Sequence, residues 1–385
     1  MINKICEYDK CTGCSACASI CPTHCISMQP DNEGFLRPNI ANDQCINCGK
    51  CRKTCPINHE FQDDGVRPAS FAVRNRDKDI LLKSSSGGLF SALAQYVLRN
   101  NGVVIGAGFD DNLAVAHKVC IDERGMDELR RSKYVQSKIG KVYQSAKQLL
   151  EAGKTVLFCG TPCQVGGLKS YLGKEFANLY AIDFICHGVP SPMVWNTYLN
   201  FRKNQAGSDV KEVSFRSKDD GWKHYSMKIK FDNDTQYSAK VSEDIYLRSF
   251  IMDMDLRPSC YQCQFKQFHR VSDITLADFW GVEKIGNRWN DDKGVSLALV
   301  HSEQGQKLLD LCSDWVEMIP VSFDAAVESN PSMTKSVIRP PLRKNFMRDI
   351  QKLPFNEVHG KYCGTGFGAR IRRKLVAVMK TLWMF

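Results

Sequence analysis

No window of the 385-residue chain approaches eighteen uninterrupted apolar residues, so no helix is expected to span a membrane. There is no secretory leader at its start, and its many cysteines therefore point to thiols kept in a reducing cytoplasm rather than to a disulfide framework. No recognised nucleic-acid module accompanies its positive charge, which excludes DNA and RNA as expected partners. Outside one segment there is no excess of either charge. Residues 331–385 hold twelve Lys or Arg against two Asp or Glu, which accounts for the whole net charge of +10. This is a basic tail on a neutral protein.

Cysteine, by contrast, is abundant, with 18 residues. Cys11, Cys14, Cys17 and Cys21 precede Pro22, and Cys45, Cys48, Cys51 and Cys55 precede Pro56. Each run reads C-x2-C-x2-C-x3-C-P, the pattern of a bacterial two-cluster ferredoxin. Three thiolates of a run hold one cubane, and the fourth, turned away at its proline, crosses to the other. The expected ligand sets are therefore Cys11, Cys14, Cys17 and Cys55 for one [4Fe–4S] cluster, and Cys45, Cys48, Cys51 and Cys21 for the second. Zinc chemistry calls for no third cysteine at the same short interval. Cys6 and Cys25 fall outside the pattern and read as packed small residues.

A ferredoxin needs far fewer residues than this chain has, so a larger domain must follow. The organisation expected is a 2[4Fe–4S] module over 1–58 and a linker over 59–69. A mixed α/β domain over 70–330 and a basic helical tail over 331–385 complete it. Short apolar runs alternating with amphipathic helices argue for the α/β core. Strands are expected at Phe71–Arg74, Gly102–Phe109, Leu113–Val119, Thr155–Phe158, Leu179–Ile185, Met227–Phe231, Thr235–Ala239, Ile274–Ala277 and Val295–Val300. Helices are expected at Gly87–Leu98 and Lys138–Ala152. From Ala369 to Phe385, Ile371, Leu375, Val378, Met379 and Leu382 recur at helical spacing among basic residues. Such a helix suits an anionic membrane surface, giving a peripheral contact at the inner membrane face, and equally suits docking on its own domain or a partner.

Four later cysteines form a second group. Cys260 and Cys263 make a C-x2-C pair, Cys163 follows a predicted strand, and Cys186 ends the next one. Strand ends in an α/β sheet converge on one edge. A third cluster, a four-cysteine zinc site and a redox dithiol at Cys260 and Cys263 all fit this spacing. A different anion site is suggested by Ser84, Ser85, Ser86, Gly87 and Gly88, which precede an amphipathic helix and would present backbone N–H groups. The same residues also simply cap helices.

Several segments resemble the β subunit of coenzyme F420-reducing hydrogenases and F420-dependent dehydrogenases, an iron–sulfur flavoprotein family. They are Ser84 to Leu93, Ser132 to Ser137, Gly160 to Leu168, Ile185 to Pro192, Cys260 with Cys263 running into Ser272 to Gly281, and Lys293 to Ser296. The resemblance implies that Cys163, Cys186, Cys260 and Cys263 hold a third [4Fe–4S] cluster beside FAD. It also makes Ser85, Ser86, Gly87 and Gly88 a flavin loop, with Lys133 and Tyr134 as further contacts. A flavin is what such a chain needs, since a hydride donor supplies two electrons and clusters accept one. His187 is a candidate proton donor beside it. Asp278 to Gly281 reads as a strand end whose aromatics pack, while Trp222, His224 and Tyr225 are candidates to touch a substrate.

The expected function is that of an FAD and iron–sulfur oxidoreductase. It would exchange electrons between coenzyme F420, an analogous hydride carrier or a small organic substrate and a ferredoxin or other redox protein. A relay subunit without substrate chemistry is the alternative, as is a ferredoxin-dependent reductase of an envelope or polysaccharide precursor.

Overall fold

A computed structural model of the chain describes residues 2–59 and 65–364. The helix expected over 369–385 lies outside them. Among the described residues no helix is long and apolar enough to cross a membrane.

The N-terminal module is built on a hairpin of β1 (Ile26–Pro30) and β2 (Leu36–Ile40), flanked by short helices Ala16–Ile20 and Lys50–Lys53. The larger part contains β3 (Ala69–Asn75), β4 (Val103–Phe109), β5 (Val115–Cys120), β6 (Val156–Cys159), β7 (Leu179–Phe184), β11 (Ile274–Asp278), β12 (Ser296–Val300) and β13 (Val316–Pro320). These form one eight-stranded sheet in the order β13-β3-β12-β11-β7-β6-β4-β5. Between β7 and β11 in the chain, β8 (Val210–Ser217), β9 (Ser226–Phe231) and β10 (Gln236–Lys240) form a separate antiparallel sheet.

Strands β4, β6, β7 and β11 run parallel, so Phe109, Cys159, Phe184 and Asp278 end at one edge. The antiparallel β12 begins at the same edge with Ser296, opposite Asp278. Helices Leu89–Arg99 and Pro162–Leu172 lead away from it, as crossover geometry requires.

The helix expected at Lys138 begins only at Val142. Lys138 instead pairs with β5, its N–H bonding Val115 O, and Gly140 at φ +57 makes the turn into the helix. Two strands, β8 and β13, were not anticipated.

The segment expected as a basic tail needs correction over its described part. Helices Arg343–Asp349 and Phe355–Tyr362 bury Phe346, Met347, Phe355, Val358 and Tyr362 in the aromatic core of Trp195, Tyr198 and Tyr246. Their charges lie on the outer faces of an element that packs.

The N-terminal module joins the same core. Phe35, fully buried in the turn between β1 and β2, belongs to that aromatic cluster. Arg343 clamps Glu33 with Nη1 at 2.8 Å and Nη2 at 2.6 Å, and Gln136 accepts from Leu36 N at 2.9 Å.

Candidate metal and cofactor centre

In each cysteine run the backbone turns left-handed twice at matching places. Gly13 and Ser15 in the first run have φ +70 and +66, and Asn47 and Gly49 in the second have +53 and +72. Successive turns of this kind gather N–H groups into an anion-binding concavity. The third cysteine of each run, Cys17 or Cys51, then sits on its short helix.

Two cavities result. One, with about 320 Å³ of atom-free space, is lined by Cys11, Cys14, Cys17 and Cys55. The other, about 330 Å³, is lined by Cys45, Cys48, Cys51 and Cys21. The crossing of Cys21 and Cys55 between the runs is thus present in the backbone. The donor set and the N–H-rich turns fit an anionic cubane.

Each cavity also has a fifth thiol, which the spacing rule did not single out. Cys6 lines the first, hydrogen-bonded to Cys11 and Cys55, and Cys25 lines the second with its sulfur 3.4 Å from that of Cys21. The second cavity faces outward, where Cys48 and Ile46 are exposed.

The second group of cysteines comes together at the edge where β6 and β7 end. Cys163 lies in the first turn of Pro162–Leu172, whose start is fixed by a reciprocal cap between Thr161 and Gln164. Cys186 follows β7, and the turn Pro258–Gln262 brings up Cys260 with Cys263 just after it. Cys186 feels the charges of Cys260, Cys163 and Cys263. Burial pushes the Cys163 and Cys260 thiols up to about 12, so thiolates here require cationic company. Lys266 and Arg270 stand beside Cys263, and Arg257 beside Cys260. Among the described residues, no three His, Cys, Asp or Glu are grouped about a point suited to a single ion. The donor sets surround spaces instead, as a cluster of four irons requires.

The two cysteine groups adjoin through Gly166 and Gly167 of the Cys163 helix. A Cβ on Gly167 would stand 3.0 Å from the Cys14 sulfur, and one on Gly166 would meet Phe265 at 2.9 Å and Pro56 at 3.7 Å. Glycine here permits close approach of the Cys163 helix to the first cavity.

The expected flavin loop is at the same sheet edge, and Lys133 and Tyr134 adjoin it because Ser132 N donates to Ser85 Oγ at 2.9 Å. Its side chains are largely engaged within the protein. Ser84 Oγ donates to Ile80 O, Ser86 Oγ to Val295 O, and a Cβ on Gly87 would collide with Val73 O and Ser296 N. Gly88, at φ +82, begins an eleven-residue helix with no side-chain cap. Those first-turn N–H groups are the part of the loop that fits a flavin phosphate.

Lys133 Nζ donates to Glu128 O and Arg130 O, and burial, with Arg131 nearby, pushes it down to about 7. Tyr134 stacks on Phe250 with centroids 4.6 Å apart. Beside them is a residue the sequence did not point out. Lys218 Nζ ties Leu81 O, Ser86 O and Lys293 O together at 2.8, 2.6 and 2.7 Å.

His187 has partners on both nitrogens, Asp253 Oδ1 at 2.7 Å and Ser332 Oγ at 3.5 Å. Trp222 and Tyr225 are buried, which removes them as free substrate contacts, whereas His224 is exposed. Phe279 packs as expected, while Trp280 stacks on Trp222 and remains 37% exposed.

Residues 153–321 match the model of the C terminus of the coenzyme F420 hydrogenase/dehydrogenase β subunit, and residues 10–59 match a 4Fe-4S dicluster domain. Among solved structures, a chain of the xenon-derivatised F420-reducing [NiFe] hydrogenase complex from Methanosarcina barkeri is similar. It has 17% identity and a TM-score of 0.47, over 71% of this chain and 92% of that one. No curated protein gives a significant match.

Proposed function

A chain that carries this β-subunit domain behind a 4Fe-4S dicluster domain is a member of the coenzyme F420 hydrogenase/dehydrogenase β-subunit family of iron–sulfur oxidoreductases, and from that premise we propose an electron path with three clusters and a flavin. The outer cluster is held by Cys45, Cys48, Cys51 and Cys21, the middle one by Cys11, Cys14, Cys17 and Cys55, and the inner one by Cys163, Cys186, Cys260 and Cys263. FAD at the Ser85–Gly88 loop supplies the exchange of an electron pair for single electrons.

The observation that carries this reading is the approach of Gly167 to Cys14, which leaves no side chain between the Cys163 helix and the middle set. The chain's own residues do the remaining work. Lys218 holds the Ser86 and Lys293 segments together, the uncapped helix start at Gly88 receives phosphate, and exposed Cys48 marks the face for a redox partner. His187, held between Asp253 and Ser332, serves to orient the Cys186 turn and only secondarily as a proton donor. At the flavin end the partner is a hydride carrier such as coenzyme F420 or a reducible organic substrate, and at the outer end a ferredoxin-type protein.

Anaerobic purification with iron, sulfide, zinc and flavin assays tests the whole scheme. About twelve irons and one FAD per chain are expected. About eight irons with stoichiometric zinc would remove the inner cluster, and full iron without flavin would leave a relay subunit.

A further inference from the structure

Arg257 occupies the junction between the middle and inner cysteine sets. It is 1% exposed and lies three residues before Cys260. Its Nε donates to Cys11 O at 2.8 Å, and its Nη2 donates to Leu36 O at 2.8 Å and faces the Cys11 sulfur at 3.8 Å. Its Nη1 has no acceptor. The cysteine loop is pressed directly onto it, since a Cβ on Gly13 would meet Arg257 Nη1 at 2.8 Å and Gln136 Nε2 at 2.6 Å.

No carboxylate among the described residues pairs with this guanidinium. The neighbouring arginines are paired elsewhere, Arg37 with Asp31 and Arg343 with Glu33. A guanidinium does not give up its proton, and a buried charge left without a counter-ion costs several kcal/mol. The groups positioned to supply the opposite charge are sulfurs, with Cys11 on one side and Cys260 and Cys163 on the other.

We propose that Arg257 is the shared counter-cation of the middle and inner [4Fe–4S] clusters and holds the reduction potentials of both above the value the thiolates alone would set. The inference rests on the cluster reading of those two sets. Reduction adds one electron and one negative charge to a cluster, with no bond broken and no proton taken up. A fixed cation and an N–H facing a ligating sulfur both favour that added charge. Arg257 thereby acts as a positioning residue, through Cys11 and Cys260, and the outer cluster lies beyond its contacts.

Two substitutions in the full chain, purified anaerobically, approach the charge from opposite sides. Arg257→Gln removes it. Gln136→Glu leaves it in place and sets a carboxylate beside it, while Oε1 still accepts from Leu36 N. The readouts are iron content and potentials from a redox titration followed by electron paramagnetic resonance. Arg257→Gln is expected to keep its iron and to lower the middle and inner midpoints by at least tenfold in the reduction equilibrium, about 59 mV for one electron. The outer midpoint should stay in place, and Gln136→Glu should lower the middle midpoint in the same direction. Unmoved midpoints in iron-replete variants overturn the proposal, as does an equal shift of all three. Should Arg257→Gln lose iron, Gln136→Glu decides, and an unchanged middle midpoint there overturns it. Zinc in the inner set of the wild type defeats only the cluster reading of that set, because the middle midpoint still tests Arg257.

Discussion

Gly167 lies against Cys14 so closely that a Cβ would stand 3.0 Å from both the Cβ and the sulfur of the cysteine, and 2.9 Å from Tyr143 Oη. The contact lies between a helix of the α/β part and a ligand of the N-terminal module. Gly167→Ala should keep all its iron while losing about 1–3 kcal/mol of stability through overpacking. Gly167→Val should displace Cys14 and release about four irons. Iron assay and thermal unfolding check both, and a valine variant with full iron would show that the approach can relax.

Loss of one ligand should separate the inner and outer ends of the path. Cys186→Ser and Cys48→Ser should each reduce iron from about twelve to about eight per chain. Flavin should still be reduced by the hydride donor in Cys48→Ser, while reduction of a ferredoxin-type acceptor falls at least tenfold. Stopped-flow absorbance of flavin and acceptor would separate the two half-reactions.

Glu33 and Arg343 join residues far apart in the chain across the module boundary. Arg343 is 1% exposed and Glu33 26%. Glu33→Ala leaves a buried guanidinium with only Leu256 O to bond. We expect a loss of about 2–3 kcal/mol, below the roughly 3–5 of a fully buried pair. Denaturant unfolding followed together with cluster absorbance should show iron and core lost in one transition.

His117 should make the protein acid-labile. Its ring is buried between Ser137 Oγ and Cys159 O, and desolvation pushes its pKa down to about 4 from 6.5. Between those values the unfolded chain binds a proton that the folded chain refuses, so stability falls as pH drops from 6.5 to 4. The full loss is on the order of 3 kcal/mol. His117→Gln should flatten that slope in melting curves taken between pH 5 and 7; an unchanged slope would locate the acid sensitivity elsewhere.

The ligand runs were legible in the sequence because their geometry is local: a cubane imposes its own spacing on Cys11 to Cys17 and Cys45 to Cys51. Strand ends carrying Cys163 and Cys186 were legible for a similar reason, as apolar runs ending in small polar residues. Arg257, Lys218, Cys6 and Cys25 were not. Each acts through partners that only folding brings near, and an isolated Arg or Lys looks like a surface charge. Strand β13 escaped notice because an edge strand holding Glu317 and ending at Pro320 shows little alternation. The packed helices of 331–364 were hidden by net charge, which counts side chains without saying which face they occupy.

Phe35 gives the hairpin turn of the N-terminal module a second role. With no exposed surface, it fills part of the aromatic core around Trp195, and it is held there from a module whose own interior is mostly cysteine. If iron leaves, the thiol-lined cavities lose their contents and the hairpin loses its support, so the vacancy is passed to the core beneath Phe35. Oxidative damage at a cluster thus becomes a folding lesion in the neighbouring domain. The expected consequence is that air-exposed chains become protease-sensitive throughout, not just at the module, so that the cell could discard damaged copies whole.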